Sequence, residues 1–235
     1  MDNTLDDLKT RLEMKGIEGE NKITEEFSKI ADILLQKVKI QKGDKKYLIT
    51  EIEFYWYTNA HRDIITYPRK CPAGMWYFHP SGVDISFESH VTLPTDGYDK
   101  RPILDENARF GGILIRSIKP DGWNYIGKKD ALTGHPLNVV DELFDRIDAF
   151  GNPEELPKLI AEPHSAVIQD KEREGLTKDT PENKVKKIVN NYKKGCITDE
   201  FQKELAKSYT KFANYQEKPD TPKEPHIKYG YKVIG

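Results

Sequence analysis

The segment Tyr47–Tyr57, YLITEIEFYWY, gathers the side chains best suited to chemistry. Its β-branched and aromatic content predicts a strand. Successive side chains of a strand point to opposite faces, so one face is expected to carry Tyr47, Ile49, Glu51, Glu53, Tyr55 and Tyr57. The other carries Leu48, Thr50, Ile52, Phe54 and Trp56, an ordinary core face. Acidic residues are poor strand formers and costly to bury. Two explanations therefore fit the first face. It could be a solvated side with cross-strand lysine partners. It could instead be a pocket floor, where a carboxylate acts as general base and a tyrosine ring supplies a stacking surface.

Two more residues belong with this strand. His61 follows in the loop Tyr57-Thr58-Asn59-Ala60-His61-Arg62-Asp63 and can fold back over the same face. Arg116 lies within Ile113-Leu114-Ile115-Arg116-Ser117-Ile118. An arginine flanked by aliphatic residues in a sheet needs a carboxylate partner, and Glu51 and Glu53 are the candidates. A structural ion pair and a catalytic one both satisfy that need.

The elements that must position these residues follow from periodicity. Residues 1–20 read as a short amphipathic helix through Leu5, Leu8 and Leu12, ended by Gly16 and Gly19. A second helix is expected from Thr24, as N-cap, to Gln36, with Phe27, Ile30, Ala31, Leu34 and Leu35 as its buried stripe. Lys37–Gln41 and Lys45–Tyr57 read as a hairpin about Gly43-Asp44. Trp76–Phe78 and Val83–Phe87 read as strands around His79-Pro80-Ser81-Gly82, and Gly111–Ile118 as a third strong strand. Helices are expected at Asn138–Ala149, at Glu154–Ala161 and twice within 179–216, before an extended tail.

Composition bounds what this assembly can be. Of 235 residues, 37% are hydrophobic and 32% charged, so a single core with polar appendages is expected. The aromatics (12 Tyr, 9 Phe, 3 Trp) exclude a disordered chain. The net charge is −2, against wholesale nucleic-acid binding, but it divides unevenly: acidic through residue 170 and basic over 171–235. That basic stretch is either a solvated helical surface or a face for an anionic partner. No membrane-spanning run and no secretory h-region is present, which together with only Cys71 and Cys196 predicts a cytoplasmic protein with reduced thiols. The six histidines lack ligand-like spacing, Gly111-Gly112 precedes a strand rather than a helix, and no G-x-S-x-G elbow occurs. No metal or cofactor is expected.

In their order along the chain these pieces resemble the methylpurine (3-methyladenine, alkyladenine-type) DNA glycosylase family. The carriers are ADILLQKVKI before the strand, EIEFY at Glu51–Tyr55, NAHRD around His61, GMWYFHPSG, and GGILIRSIKP around Arg116. The likeness spans about residues 27–122. It implies an α+β fold: a single mixed, mainly antiparallel curved sheet with flanking helices. With it goes a division into a helical appendage (1–20), a glycosylase-like core (21–178) and a basic helical extension and tail (179–235).

The resemblance also implies a mechanism. Enzymes of this family flip a damaged purine nucleotide from the duplex and hydrolyse its glycosidic bond. Glu53 would activate water, with Arg116 holding Glu53 and the water. Tyr55 and His61 would wall the base, and Glu51, Tyr57 and Ser86 would complete the pocket. The implied partner is damaged double-stranded DNA, the implied state a monomer, and no lysine nucleophile or cofactor is called for. The chain departs from the family at GVDISFESH, where Asp84, Ser86 and Ser89 or His90 stand in place of tyrosines and Asp84 and Glu88 would oppose phosphates. Phe87 and Tyr98 are the remaining candidates for the wedge that fills the vacated stack. That departure supports an alternative, a non-catalytic nucleotide- or partner-binding protein on the same scaffold.

Overall fold

The computed structural model describes residues 3–61, 63, 65–93, 105–122, 135–147, 150–151, 156–171, 173 and 229–234. Within them lie three helices, α1 (Thr4–Leu12), α2 (Glu20–Gln36) and α3 (Pro136–Phe144). Eight strands accompany them: β1 (Val38–Lys42), β2 (Lys45–Thr58), β3 (Trp76–His79), β4 (Gly82–Ser86), β5 (Arg109–Pro120), β6 (Lys158–Ala161), β7 (Val167–Lys171) and β8 (Gly230–Ile234). The fold is α+β. Its curled, half-barrel sheet runs β3-β4-β5-β2-β1-β6, with β8 on β2 and β7 on β8. Every strand pair in it is antiparallel, so the mixed element of the expected sheet is absent among the described residues.

Strand β2 is the spine. Its hairpin partner β1 is joined through Gly43, whose φ of 54° glycine takes at no steric cost. Along one edge β2 pairs β5 from Tyr47 to Thr58. The other edge is shared: β1 occupies the start of β2, and β8 pairs with Glu51–Glu53.

The simple alternation expected along β2 breaks near its middle. The pairing with β5 slips between Ile49 and Glu51 and again between Glu51 and Ile52. These irregularities shift the phase of β2 by one residue, as bulges do. Tyr47 and Ile49 therefore join Ile52, Phe54 and Trp56 in one core, although they were expected on the opposite face. β5 shifts in step, and Ile118, Ile115 and Ile113 all enter that core. The glutamates of β2 thus share their face with Tyr55 but not with Tyr47 or Ile49.

Helix α2 covers the core side. Ile23, Phe27, Ile30, Ala31 and Leu34 form its buried stripe. Phe27 stacks on Phe54 at 4.4 Å between ring centroids and meets Tyr229 edge-on at 5.0 Å. The helix begins at Glu20, not at Thr24. Gly19 precedes it, and the Thr24 hydroxyl bonds back to the Glu20 carbonyl at 2.9 Å, an in-helix contact rather than a cap.

Three further expectations are corrected. The segment expected as a helix at Glu154–Ala161 ends instead in strand β6, which pairs with β1 from Lys158 to Ala161. Pro157 favours an extended neighbour and removes a helical donor, and the waiting edge of β1 supplies ladder partners. The N-terminal helix does not stand apart, since Leu8, Leu12 and Met14 pack in the common core. Near the other end, Tyr229 and Tyr231 are core residues and β8 is a sheet strand. The helices expected within 179–216 and the tail after them lie outside the described residues.

Candidate functional site

Glu53 lies on the sheet face opposite α2, where its cross-strand partner is Leu114. It is fully buried. One carboxylate oxygen accepts from the Tyr55 hydroxyl at 2.8 Å and from Arg116 Nη1 at 3.3 Å. Arg116 sits at the irregular point of β5 and forks, its Nε donating to Glu51 at 3.0 Å. Lys171 of β7 also donates to Glu51. Two carboxylates, two cations and a phenol thus form one network. Burial pushes the Tyr55 phenol well above its usual range, the Glu53 charge adds to this, and nearby Arg173 opposes it. Tyr55 therefore stays protonated and donates to Glu53.

The sequence pattern missed what stands beside Tyr55. Arg173 and Asp63 are both buried and form a two-pronged pair, Nη1 to Oδ2 at 2.7 Å and Nη2 to Oδ1 at 3.2 Å. Burial alone would lower the Arg173 pKa, but the Asp63 carboxylate outweighs it and raises the value. The pair also completes the edge of β2 beyond β8. Arg173 donates to the Phe54 carbonyl at 3.0 Å, and Asp63 accepts from the Trp56 N–H at 3.2 Å. Two side chains thereby take the ladder positions of a strand. Neither residue carried a signal in the sequence, where Asp63 reads as a loop acid and Lys171–Glu174 as a charged surface run.

His61 is buried and reaches the network indirectly. Its Nδ1 lies 3.0 Å from Glu20, and Glu20 also accepts from the Tyr229 hydroxyl. The Tyr229 ring is 5.8 Å from the imidazole. The Arg173 guanidinium lies 5.5 Å from the Tyr229 ring and 4.9 Å from the Tyr55 ring. The contacts run Tyr55, Arg173, Tyr229, His61, so Tyr55 and His61 flank a filled layer rather than converge on a slot. The other expected pocket residues turn away. Tyr57 stacks on Phe110 at 4.9 Å, and the buried Ser86 hydroxyl donates to the Phe87 carbonyl at 2.9 Å.

A second polar group occupies the same face on β4. Asp84 is buried and does not confront solvent or phosphate, as its place in GVDISFESH had suggested. It accepts from Arg69 Nη2 at 2.7 Å and faces His79 Nε2 at 2.9 Å. Burial would raise the Asp84 pKa, but Arg69 and His79 outweigh it and hold the carboxyl below its usual range. Arg69 also donates through Nε to the Tyr67 carbonyl and lies 3.9 Å over the Tyr77 ring. Gly112 makes room for this group, because a Cβ there would stand 2.8 Å from Arg69 Nη1 and 3.0 Å from Asp84.

Glu88 is likewise committed, accepting from the Ala73 N–H at 2.8 Å. Phe87 is wholly buried between Phe27 and Trp56 and is no wedge, while Tyr98 lies outside the described residues. Among the described residues no group of three or more His, Cys, Asp and Glu side chains could hold a metal ion. No helix among them is long and apolar enough to cross a membrane.

Fold and site together define an α+β protein with a buried, arginine-ligated glutamate on a curled antiparallel sheet. Comparison with models of known protein families, with curated proteins and with solved structures finds no match.

Proposed function

We propose that this chain is a monofunctional glycosylase-type hydrolase that cleaves the N-glycosidic bond of alkylated or deaminated purine nucleotides in DNA, using water activated by Glu53. The observation that carries the reading is the state of Glu53. It is removed from solvent yet kept in contact with the Arg116 guanidinium and the Tyr55 hydroxyl. Departure of a purine builds positive charge on the sugar, which an adjacent carboxylate stabilises and supplies with water. The water oxygen bonds to the anomeric carbon, Glu53 takes its proton, and the base leaves with the bond electrons. Arg116 positions the carboxylate. Tyr55 offers a ring for stacking, and its hydroxyl holds Glu53 in place.

A specific observation favours the second reading, a non-catalytic nucleotide- or partner-binding protein. Arg173 and Tyr229 fill the layer between Tyr55 and His61.

The separating experiment is release of 3-methyladenine, hypoxanthine or ethenoadenine from duplex and single-stranded oligonucleotides. Glu53→Gln is expected to reduce release by at least about 100-fold. Release that survives the substitution removes Glu53 from the mechanism. Absence of release from every substrate, with nucleotide binding intact, supports the second reading.

A further inference from the structure

Arg69 has no part in the mechanism above, yet it is built into the same face. Its side chain is nearly all buried, and three of its contacts are accounted for: Asp84, the Tyr67 carbonyl and the Tyr77 ring. Nη1 is buried too, and it has no hydrogen-bond partner among the described residues. A buried donor left in that state is costly, so its position asks for an acceptor.

The direction of that donor follows from the sheet. Nη2 is held by Asp84 on β4. Nη1 lies over Gly112 of β5, 2.8 Å from where a Cβ would be. Gly112 is the cross-strand partner of Tyr55 on β2, so both face the same side. The guanidinium fork therefore spans from Asp84 on β4 onto Gly112 of β5, the strand that pairs with β2 at Tyr55. Both oxygens of Asp84 are engaged, one by Arg69 and one by His79. The group offers this side a donor and no matching acceptor.

We propose that Arg69 is a specificity-determining residue, whose Nη1 donates to the acceptor edge of a 6-oxopurine held against Tyr55, favouring it over a 6-aminopurine. This rests on the reading that the face takes a purine. A 6-oxopurine presents O6 and N7 as adjacent acceptors, the edge that arginine commonly reads. A 6-aminopurine puts an amino donor at the same place, opposite another donor. The buried Asp84–His79 group holds the guanidinium in one plane. Gly112 is the residue that lets it lie close to the strand.

The test is calorimetric titration of the full chain with 2′-deoxyinosine and 2′-deoxyadenosine, in the Glu53→Gln background wherever base release is detected. Deoxyinosine is expected to bind about tenfold more tightly. Arg69→Lys keeps a cation beside Asp84 but loses the fork, and should bring the ratio near one. Gly112→Ala keeps Arg69 and displaces Nη1, so it should do the same if Arg69→Lys fails to fold. Equal affinities in the native chain, or a preference that survives both substitutions, overturn the assignment of Arg69. Binding of neither nucleoside overturns it together with the purine reading. A deoxyinosine preference without base release from any oligonucleotide upholds Arg69 and removes only the hydrolase.

Discussion

At the residue scale the face of β2 is governed by charge pairing away from water. Glu53, Asp63, Asp84, Arg69, Arg116 and Arg173 are all buried, and each carboxylate meets an arginine. Such pairs contribute little net stability when intact, but breaking one strands a charge. Arg173→Met should therefore cost about 3–5 kcal/mol of unfolding free energy, read from urea titration, because Asp63 loses its partner and the Phe54 carbonyl its donor. The Glu51–Glu53–Arg116 association was legible in the sequence, since a mid-strand arginine and two strand carboxylates have few other ways to be satisfied. The Asp63–Arg173 and Arg69–Asp84 pairs were not. Arg173 lies 110 residues from Asp63, in a run that reads as solvated charge, and Asp84 reads as an exposed strand acid with nothing in the pattern to pair it with Arg69.

At the element scale, two adjacent glycines of β5 have different roles. A Cβ on Gly111 would stand 2.1 Å from the Tyr55 carbonyl oxygen and 3.0 Å from the Trp56 Cα, both backbone atoms. On Gly112 it would meet side chains, the nearest being the end of Arg69. Gly111→Ala should thus lower the thermal midpoint clearly more than Gly112→Ala, at a cost of about 1–3 kcal/mol or beyond. A comparable loss from both would show that the strands can part without penalty.

The start of the sheet is tied by charge. Glu162, just after β6, accepts from Lys39 of β1 and Lys46 of β2, at 2.7 and 2.5 Å. The Lys39 and then the Lys46 hydrogen bonds hold its carboxyl down to about 2, below the ordinary 4.5. A carboxyl depressed in the folded state stabilises fully above the ordinary value, and that contribution is lost as pH falls from 4.5 through about 2. Glu162→Gln should flatten this part of the acid-unfolding profile. The hairpin and the central strands could be read from alternation and turn residues. The phase shift of β2 could not, because a bulge leaves the hydrophobic count of the strand unchanged. β6 was misread because a Leu-Ile-Ala run is too short for periodicity to decide between helix and strand.

At the scale of the whole molecule, the ends of the described chain are structural. α1 packs Leu8 and Leu12 beneath α2, while Tyr229 and Tyr231 of the C-terminal stretch join the aromatic core around Phe27 and Phe54. Removing residues 229–235 should therefore destabilise the entire sheet rather than trim a tail, seen as a lower unfolding midpoint and faster proteolysis within β2. A truncated chain as stable as the full one would show that β8 is dispensable. The α+β class came from the order of the sequence pieces and their family resemblance, while composition gave the expectation of a single aromatic-rich core. It could not show that the termini belong to it, because charged flanking residues hide a few buried tyrosines and leucines.

The longest of the described strands also carries a safeguard. β2 runs 14 residues, and on the side away from β5 its backbone is met in turn by β1, β8, Tyr229, Arg173, Asp63 and His61. Beyond the end of β8 a salt bridge takes over the hydrogen bonds of a strand, so that part of the edge is not left bare to recruit another chain. The same ion pair that crowds the candidate pocket is then a guard against aggregation. An evolving pocket here would have to gain space for a ligand without uncovering the edge that keeps the protein from assembling with itself.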